Sequence, residues 1–523
     1  MRRALTTTAL AIGGLLAATL GAAAPAGADG EPPEQWRSYW VDAFNEGIYN
    51  PDQVSTLVEE ALEINANALI VQTVRRYDCF CNRAQYPRTH AAVDPEPYDP
   101  LDAIIDEARA AGLEVHAWVN VNTLWNSATA PPQPDHVFNL HGPSAEGRDR
   151  WLNKKADGTE LQGANSYVDP GHPDVQDYIV SGIQSLLTEY DLDGVHLDYV
   201  RYPDFNSTTT HSDWGYNETS VARFQAATGR TDVPAPSDAE WSDWRRSQVT
   251  NLVRKIYLGM WEVDPQARLS MAGITYGFGP QSVGGWEQTR TYAEVLQNWK
   301  GWLAEGIMDT MVAMNYKRNW QPPQDQMFSE WTEVIADWQA GRQAVNGPAL
   351  YLNSVQDSVE QVEEILEPTA AGNVAAGWSG YSYANPSNAF VDGPWANRSA
   401  ERAALAAALT GPGAPFEHAA SVPEMTWKIN PTEGHVTGTL SFTNGTPLDQ
   451  VTVSLEPIVG GGAAATAVSD GSGWFGFAHV DPGRYVVKVT LPSGVVGQPL
   501  ATVRVRAGDI SEAKFATFVE PPR

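Results

Sequence analysis

The stretch "DLDGVHLDYVRYP", residues 191–203, decides the fold that this sequence predicts. An apolar run of this length that opens with Asp-Gly is typical of a buried strand. It nevertheless carries His196, Asp198 and Arg201, which a buried strand holds only when they are paired or used in function. The stretch therefore predicts a strand with chemistry on one of its faces.

Side chains alternate along a strand, and here the alternation separates apolar from polar residues. Val195, Leu197 and Tyr199 share one face, whereas His196 and Asp198 share the other. We expect the apolar face to pack against helices and the polar face to point toward the axis of a closed sheet.

Seven more strand-like segments surround this one, and helical patterns separate them. The eight predicted strands cover residues 36–44, 68–74, 114–121, 193–200, 268–276, 308–316, 349–354 and 373–383. Such alternation predicts an α/β fold. Because no Gly-rich phosphate loop follows the first strand, a (β/α)8 TIM barrel over residues 35–411 is favoured over an open doubly wound sheet.

Both ends of the chain differ from the predicted barrel. Residues 1–28 begin with Arg2 and Arg3, continue with an apolar segment and end with small residues typical of a cleavage site. This order predicts a signal peptide. We therefore expect a secreted protein, extracellular or associated with the cell wall, without a membrane anchor. Residues 412–425 predict a linker, and the short alternating strands with Gly-containing turns at 426–523 predict a small all-β sandwich domain.

Charge and cysteine content narrow the class of protein. The formal net charge is −29, a surface that repels nucleic acid and anionic lipid, so neither is expected as a partner. The only cysteines, Cys79 and Cys81, allow a short bridge or a pair of buried thiols but no disulfide framework. We expect a monomer that needs neither a cofactor nor a metal ion.

Other predicted strands repeat the polar face of the first. Strand one places Trp40 and Asp42 on one side, and strand three does the same with His116, Trp118 and Asn120. These residues lie near the carboxyl ends of their strands, where TIM barrels carry their active sites. Further candidates at strand ends are Gln72, Arg75, Tyr202, Asn315, Tyr316, Lys317, Asn353 and Trp378.

The residue types at these ends point to a sugar ligand. The chain has 19 tryptophans, several of them at strand ends or in the following loops. Aromatic rings stack on the apolar faces of sugar rings, while amides, arginines and carboxylates bind hydroxyl groups. The combination predicts a carbohydrate site that includes the strand-end residues Arg75, His116, Trp118, Asn120, His196, Arg201, Tyr202, Asn315, Tyr316, Lys317 and Trp378.

Glycoside hydrolysis needs two carboxyl groups, and Asp198 is the leading candidate for one of them. We expect Arg201 and the donors at the strand end to keep Asp198 ionised, as nucleophile or as the charge that stabilises an oxocarbenium ion. For the second carboxyl, Asp42 has the right parity, and Glu287 lies on a loop that reaches toward the site. His196 is expected to support Asp198 by a hydrogen bond.

The alternatives for the second acid, Asp78 and Asp204, also follow strands. The stretch "DLDGVHLDYV" is similar to a chitinase signature, but Val200 stands where that signature has its acidic Glu, which excludes a chitinase-type reaction with that acid. Two other classes stay open: a carbohydrate-binding or scaffold protein without catalysis, and a metal-dependent carbohydrate esterase built on His116, His196 and Asp198.

Several motifs together resemble the glycosyl-hydrolase-like family ten. They are "WRSYWVDAF" (36–44), "GLEVHAWVNV" (112–121), "VDPGHPDVQDYI" (168–179), "DGVHLDYVRYP" (193–203) and "VLQNWKGWLAEGIMDTMVAMNYKR" (295–318). The resemblance implies a TIM barrel and glycoside hydrolysis, with peptide-free peptidoglycan glycan strands as the substrate of one bacterial branch.

The resemblance also implies site residues. They are Asp198, Asp42, His116, Asn120, Arg201, Asn315 and Tyr316. Many relatives have Asp-Asp-Tyr where this chain has Leu197-Asp198-Tyr199. The tail "VTGTLSFTNGTPLDQVTVSLEP" (436–457) resembles a carboxypeptidase-regulatory-like sandwich, which is usually an accessory module.

Overall fold

The structure is a computed structural model that describes residues 33–389, 398–459 and 462–520. The predicted signal peptide at 1–28 lies outside the described residues. No helix among the residues that the structure describes is long and apolar enough to cross a membrane.

The strands in chain order are β1 (Trp36–Val41), β2 (Ala68–Val74), β3 (Glu114–Asn120), β4 (Thr123–Trp125), β5 (Ser166–Tyr167), β6 (Gly194–Asp198), β7 (Arg268–Ile274), β8 (Thr310–Met314), β9 (Gln343–Gly347), β10 (Gly377–Tyr381), β11 (Gly434–Thr439), β12 (Thr452–Val459), β13 (Ala465–Val468), β14 (Trp474–Val480), β15 (Gly483–Val489), β16 (Leu500–Val505) and β17 (Ile510–Ala513).

The helices are α1 (Pro51–Glu63), α2 (Pro100–Ala110), α3 (Val137–His141), α4 (Pro173–Glu189), α5 (Glu218–Thr228), α6 (Ala239–Val263), α7 (Pro280–Val283), α8 (Arg290–Ala293), α9 (Trp299–Glu305), α10 (Gln324–Asp337), α11 (Val355–Leu366), α12 (Arg398–Thr410) and α13 (Thr426–Ile429).

Within the described residues, eight parallel strands close into a barrel in the order β1-β10-β9-β8-β7-β6-β3-β2. The predicted TIM barrel is thus confirmed. The long segment between β3 and α4 carries the paired strands β4 and β5 and helix α3, and the segment between β6 and α6 carries α5. Both segments lie at the carboxyl ends of the strands they follow, where they can build a site.

The alternation predicted for strand β6 is confirmed from Val195 to Asp198 but is wrong for Tyr199, which follows the strand with a φ of 52° and lines the cavity at the carboxyl end of the barrel. Val195 and Leu197 belong to the apolar layer between barrel and helices, together with residues such as Val71 and Val119. Trp40 and Trp118 belong instead to a separate apolar cluster in the barrel interior. Bulky interior side chains fill the lower barrel, so open space is left only near its carboxyl end.

One predicted strand is wrong in position. The barrel strand in that region is β9, "QAVNG", whereas the predicted segment 349–354 holds a single turn of 3-10 helix at Leu350–Leu352. Because this strand contains Gln343 and Asn346, its sequence lacks the apolar pattern of a buried strand. In the barrel their amides are buried and hydrogen-bonded, Gln343 to the carbonyl of Pro423 and Asn346 to the Thr332 hydroxyl.

The C-terminal part forms two facing sheets, β14-β11-β17 and β13-β12-β15-β16, which confirms the predicted all-β domain. Its own apolar core includes Val436, Phe475 and Tyr485. The domain packs on α5 and α6 through ion pairs: Arg223 of α5 binds both oxygens of Asp449 at 2.6 and 2.8 Å, and Lys255 of α6 binds Asp470 at 2.9 Å.

The predicted linker at 412–425 is packed against the amino end of the barrel. The guanidinium of Arg268 donates to the carbonyl of Pro423 at 2.8 Å, and the backbone of Ser421 pairs with that of Gln35. Just beyond, the Lys428 ammonium forms a fully buried ion pair with Asp309 at 2.8 Å. This segment therefore closes the barrel on the side opposite the carboxyl ends of the strands.

Candidate active site

A cavity of about 300 Å³ opens at the carboxyl end of the barrel. Side chains from β1, β2, β3, β6, β7, β8 and β10, or from the loops that follow these strands, line it. The lining residues are Trp40, Phe44, Gln72, Arg76, Trp118, Asn120, Asp198, Tyr199, Arg201, Asp204, Ala272, Tyr276, Met314, Tyr316, Lys317 and Tyr381. A cavity of this size accommodates one sugar ring.

Asp198 ends strand β6 and faces the cavity. Its side chain is only 6% exposed, and its Oδ1 accepts a hydrogen bond from the backbone N–H of Tyr199 at 2.7 Å. Burial raises the pKa of Asp198, although Arg201 and this backbone N–H act in the opposite direction. The effect expected of Arg201 is therefore present, but burial outweighs it, so Asp198 keeps its proton to a higher pH than a free aspartate does.

Asp204 lies in the loop after β6, and its environment has the opposite net effect. Its Oδ1 is 3.6 Å from the Arg201 guanidinium, and its Oδ2 accepts a hydrogen bond from the Tyr276 hydroxyl at 2.9 Å. Burial acts against ionisation, but Arg201 and Tyr276 together outweigh it and lower the pKa of Asp204. One cavity thus holds two carboxyl groups whose pKa values are shifted in opposite directions.

Aromatic rings form one wall of the cavity, here called the aromatic wall: Trp40, Trp118, Tyr316 and Tyr381. Tyr316 and Tyr381 are stacked with ring centres 5.1 Å apart, and Trp40 meets Tyr381 edge-on at 5.9 Å. Because each ring is held by the next, the wall presents a fixed apolar surface beside the two carboxyl groups.

Three cations also line the cavity. Arg201 pairs with Asp204 and lies over the Tyr199 ring at 4.7 Å. The Lys317 ammonium donates to the carbonyl of Thr275 at 2.8 Å, and burial lowers the pKa of Lys317 to about 7. Arg76 reaches the cavity from the loop after β2.

Two predicted histidines lie deeper in the barrel and do not line the cavity. Nε2 of His196 accepts a hydrogen bond from the Trp40 indole N–H at 3.1 Å, which places the proton of His196 on Nδ1, facing the Ser270 hydroxyl at 2.9 Å. His196 therefore supports Trp40 and not, as expected, Asp198. Nε2 of His116 lies 3.0 Å from the Glu114 carboxylate, nearer the amino end.

The two carboxyls predicted as partners of Asp198 do not line the cavity either. Asp42 is buried just after β1, where it accepts hydrogen bonds from Asn45, the backbone of Phe44 and Ser382. Glu287 is exposed on a 3-10 turn at Trp286–Gln288. The structure brings neither carboxyl beside Asp198, whereas Asp204, weighed only as an alternative, lines the same cavity.

Four further predicted residues face away from the cavity. Arg75 binds Asp78 at 3.1 Å and the carbonyl of Ala43. The other three are buried in the layers outside the barrel: Tyr202 near Asp169, Asn315 against α10, and Trp378 between Tyr39 and Phe416. Asn315 and Trp378 lie on the opposite face of their strands from Tyr316 and Tyr381, which line the cavity.

Sequence reasoning missed several lining residues, among them Arg76, Tyr276 and Tyr381. For Tyr381 a signal existed, because it ends strand β10 and has the parity of interior residues. Arg76 has the same parity as Gln72, which also lines the cavity, but the pairing of β2 with β3 shifts between Gln72 and Val74, so strict alternation does not reach Arg76.

Two open questions from the sequence concern cysteines and metals. Cys79 and Cys81 are bonded to each other as a disulfide and are buried, so the bridge is the correct alternative. In the part of the chain that the structure describes, no three His, Cys, Asp or Glu side chains are grouped to hold a metal ion.

The fold and the cavity define a class: a TIM-barrel protein with two unlike carboxyl groups and an aromatic wall at the carboxyl end of the strands. The chain matches the family described as Glycosyl hydrolase-like 10 over residues 35–363, and it belongs to that family.

Individual relatives are distant. The chain is 24% identical to Glycosyl hydrolase YngK of Bacillus subtilis (strain 168) over 297 residues, 54% of this chain and 51% of the relative. It is 26% identical to Glycosyl hydrolase DigH of Escherichia coli (strain K12) over 241 residues, 42% of this chain and 46% of the relative. The chain thus spans about half the length of the curated relatives it matches.

Among solved structures, the glycoside hydrolase domain of PgaB (BpsB) from Bordetella bronchiseptica is 14% identical, with a TM-score of 0.48. That match covers 71% of this chain and 98% of the domain.

Proposed function

We propose that this protein hydrolyses O-glycosidic bonds of a polysaccharide, with Asp198 and Asp204 as its catalytic pair. The observation that carries the proposal is that one sugar-sized cavity holds two carboxyl groups whose surroundings shift their pKa values in opposite directions. Glycoside hydrolysis needs one carboxyl that donates a proton and one that carries a negative charge. Membership of a glycosyl hydrolase-like family supports the same reaction.

The reaction assigns a role to each group. The protonated carboxyl of Asp198 donates its proton to the glycosidic oxygen as the bond to the anomeric carbon breaks. The carboxylate of Asp204 stabilises the positive charge that develops on the sugar, and either attacks the anomeric carbon or activates a water molecule. Arg201 and the Tyr276 hydroxyl hold Asp204 in its ionised form.

The aromatic wall would bind the sugar ring on its apolar face. Trp40, held by His196, and the stacked pair Tyr316–Tyr381 form a surface that changes little when substrate enters. A preformed surface avoids the cost of ordering side chains on binding. Asn120 of β3 and Gln72 of β2 place amide groups beside the aromatic wall, where they face sugar hydroxyls.

We propose peptidoglycan glycan strands as the substrate to test first, and export as the route by which the protein reaches them. The first follows from the family resemblance of the barrel, and the second from the signal-peptide pattern at 1–28. Export is tested by detecting the protein in culture medium or cell wall, with a form lacking residues 1–28 staying inside the cell.

The decisive experiment measures reducing ends released from purified glycans, including peptidoglycan with and without its stem peptides. We expect Asp198→Asn and Asp204→Asn each to lower kcat by about a thousandfold or more, about 4 kcal/mol in the activation barrier. Glu287→Gln is the matched control, since this exposed carboxylate does not line the cavity; its rate should equal that of the wild type.

Binding separates this proposal from the alternative of a non-catalytic carbohydrate-binding protein. Asp198→Asn is nearly isosteric, so the variant should still bind the oligosaccharide that the wild type cleaves. Binding by the wild type without any release of reducing ends would support the alternative. Near-normal turnover by Asp198→Asn would show that this carboxyl is structural.

A further inference from the structure

Arg76 lines the cavity with a guanidinium group whose hydrogen-bond donors are unused by the residues that the structure describes. Its guanidinium makes no hydrogen bond and no ion pair with any residue in the described ranges, and its Nε is shielded from solvent. The neighbouring Arg75, by contrast, binds Asp78 and the carbonyl of Ala43. Buried donors in proteins are nearly always satisfied, so an unpaired one at a cavity calls for a ligand.

The position of Arg76 is fixed although its donors are unused. Its guanidinium lies 5.3 Å from the centre of the Phe44 ring, which also contacts Arg75 at 5.3 Å. Phe44 is half-exposed at the mouth of the cavity. The guanidinium is therefore held at one side of the entrance, with its N–H groups available to a molecule in the cavity.

The other two cations of the cavity are already engaged. Arg201 is paired with Asp204, and the Lys317 ammonium donates to the carbonyl of Thr275. Arg76 acts on the Asp198 carboxyl through its charge, in the direction that lowers the pKa of Asp198, but the two side chains form no ion pair, so the positive charge of Arg76 faces the cavity of a protein whose net charge is −29. A positive charge at the cavity of an acidic protein attracts an anionic group to the cavity and not to the surrounding surface.

We propose that Arg76 is a specificity-determining residue that binds a carboxylate carried by the glycan substrate. The inference rests on the proposed function and adds to it the residue that selects glycans containing acidic sugars. The planar fork of a guanidinium matches a carboxylate with two parallel hydrogen bonds, a geometry that a sugar hydroxyl cannot satisfy. The carboxylate lies beside Phe44, at the entrance and away from the aromatic wall.

The kinetic test compares one glycan in two forms. Peptide-free peptidoglycan strands carry a lactyl carboxylate on every second sugar, and carboxyl reduction converts these groups to alcohols without cutting the chain. We expect the wild type to cleave the carboxylated form with a kcat/KM about tenfold or more above that of the reduced form. Arg76→Gln should lose most of this preference, because its kcat/KM falls far more on the carboxylated form than on the reduced form, whereas Arg76→Lys should keep part of the preference.

Arg109→Gln is the charge-matched control. Arg109 pairs with Asp191 at the surface, where its side chain is 51% exposed. Removing its charge changes the net charge of the protein by the same amount but should not change the preference. If Arg76→Gln lowers kcat/KM equally for both forms, or if the wild type cleaves both equally well, the proposal is wrong.

A binding measurement keeps the test independent of hydrolysis. Calorimetric titrations use three oligosaccharides of equal length: N-acetylglucosamine oligomers, peptide-free peptidoglycan fragments and uronate oligomers. Tighter binding of one or both acidic oligomers by the wild type, lost in Arg76→Gln and weakened by salt, supports the inference even if no glycan is cleaved. Which acidic oligomer binds identifies the source of the carboxylate. Equal binding of all three, or binding that Arg76→Gln leaves unchanged, overturns it.

Discussion

The pKa values of two aspartates six residues apart are shifted in opposite directions, because different groups surround each of them. Asp198 is enclosed by the barrel, and burial raises its pKa. Asp204 is also largely enclosed, but a cation and a hydroxyl group contact its two oxygens and lower its pKa. Sequence distance carries no information about this difference, which arises from the partners that the loop after β6 brings to Asp204.

This difference predicts the pH dependence of hydrolysis. A carboxylate with a lowered pKa is lost only as the pH falls through that value, and a carboxyl with a raised pKa keeps its proton until the pH rises through that value. We expect a bell-shaped profile of kcat/KM in which Asp204 sets the acid limb and Asp198 the alkaline limb. Tyr276→Phe removes the hydrogen bond to Asp204 and should move only the acid limb, to higher pH.

Tyr292→Phe serves as the control for this shift. The Tyr292 ring packs on Arg246 at 3.7 Å and does not line the cavity, so its variant should reproduce the wild-type profile. A shift of the alkaline limb in Tyr276→Phe would contradict the assignment of Asp204.

At the scale of elements, the loops after β8 and β9 extend the aromatic surface beyond the cavity. Tyr351 meets both Tyr316 and Tyr381, at 6.3 and 6.0 Å, and the neighbouring Leu352 accepts a hydrogen bond from the Trp320 indole at 3.1 Å. Trp320 is 56% exposed, so its ring is anchored by one edge and open on its face. This arrangement suits a sugar outside the cavity.

Trp320→Ala should therefore affect long substrates more than short ones. We expect kcat/KM for a polymer to fall by about 5- to 30-fold, roughly 1–2 kcal/mol for a lost aromatic contact. Activity on a substrate short enough to fill only the cavity should be unchanged, and that substrate is the internal control. An equal loss on both would place Trp320 in the support of the loop, not in contact with the glycan.

At the scale of the whole molecule, the barrel and the sandwich share an interface. Residues 412–430, which connect the two, form its first part. The buried pair of Lys428 with Asp309 is completed by the Trp427 indole, which donates to Asp309 at 2.7 Å. Removing one member of a buried ion pair leaves a charge in an apolar environment and costs about 3–5 kcal/mol. The barrel therefore depends on a segment outside its eight strand–helix units.

Two truncations test this dependence. A chain that ends at residue 430 keeps the segment, whereas a chain that ends at residue 413 loses it and should unfold at a temperature several degrees lower. In the full chain, Lys428→Met should also lower the unfolding temperature, because Asp309 stays buried without its cation. Equal unfolding temperatures of the two truncated chains would show that the segment does not stabilise the barrel.

The sequence and the structure agree where alternation alone decides the direction of a side chain. Residues 195–198 alternate between apolar and polar side chains, which correctly predicts Asp198 in the barrel interior and Leu197 among the helices, whereas the adjacent Tyr199 breaks the alternation and lines the cavity. Asn315 and Trp378 are predicted site residues, but in the structure they lie on the outward face of their strands. Their neighbours Tyr316 and Tyr381 line the cavity instead, so the same rule would have found them.

By itself, the sequence determined the barrel, the sandwich and the strand end that carries the first carboxyl, because hydrophobic periodicity is a local property that neighbouring residues share. Only the tertiary structure decided that Asp204 joins Asp198, that His196 supports Trp40, that Arg76 and not Arg75 reaches the cavity, and that residues 412–430 close the barrel. These outcomes depend on how irregular loops fold back over the strands. Loop paths are set by contacts between residues far apart in the chain, which no local pattern records.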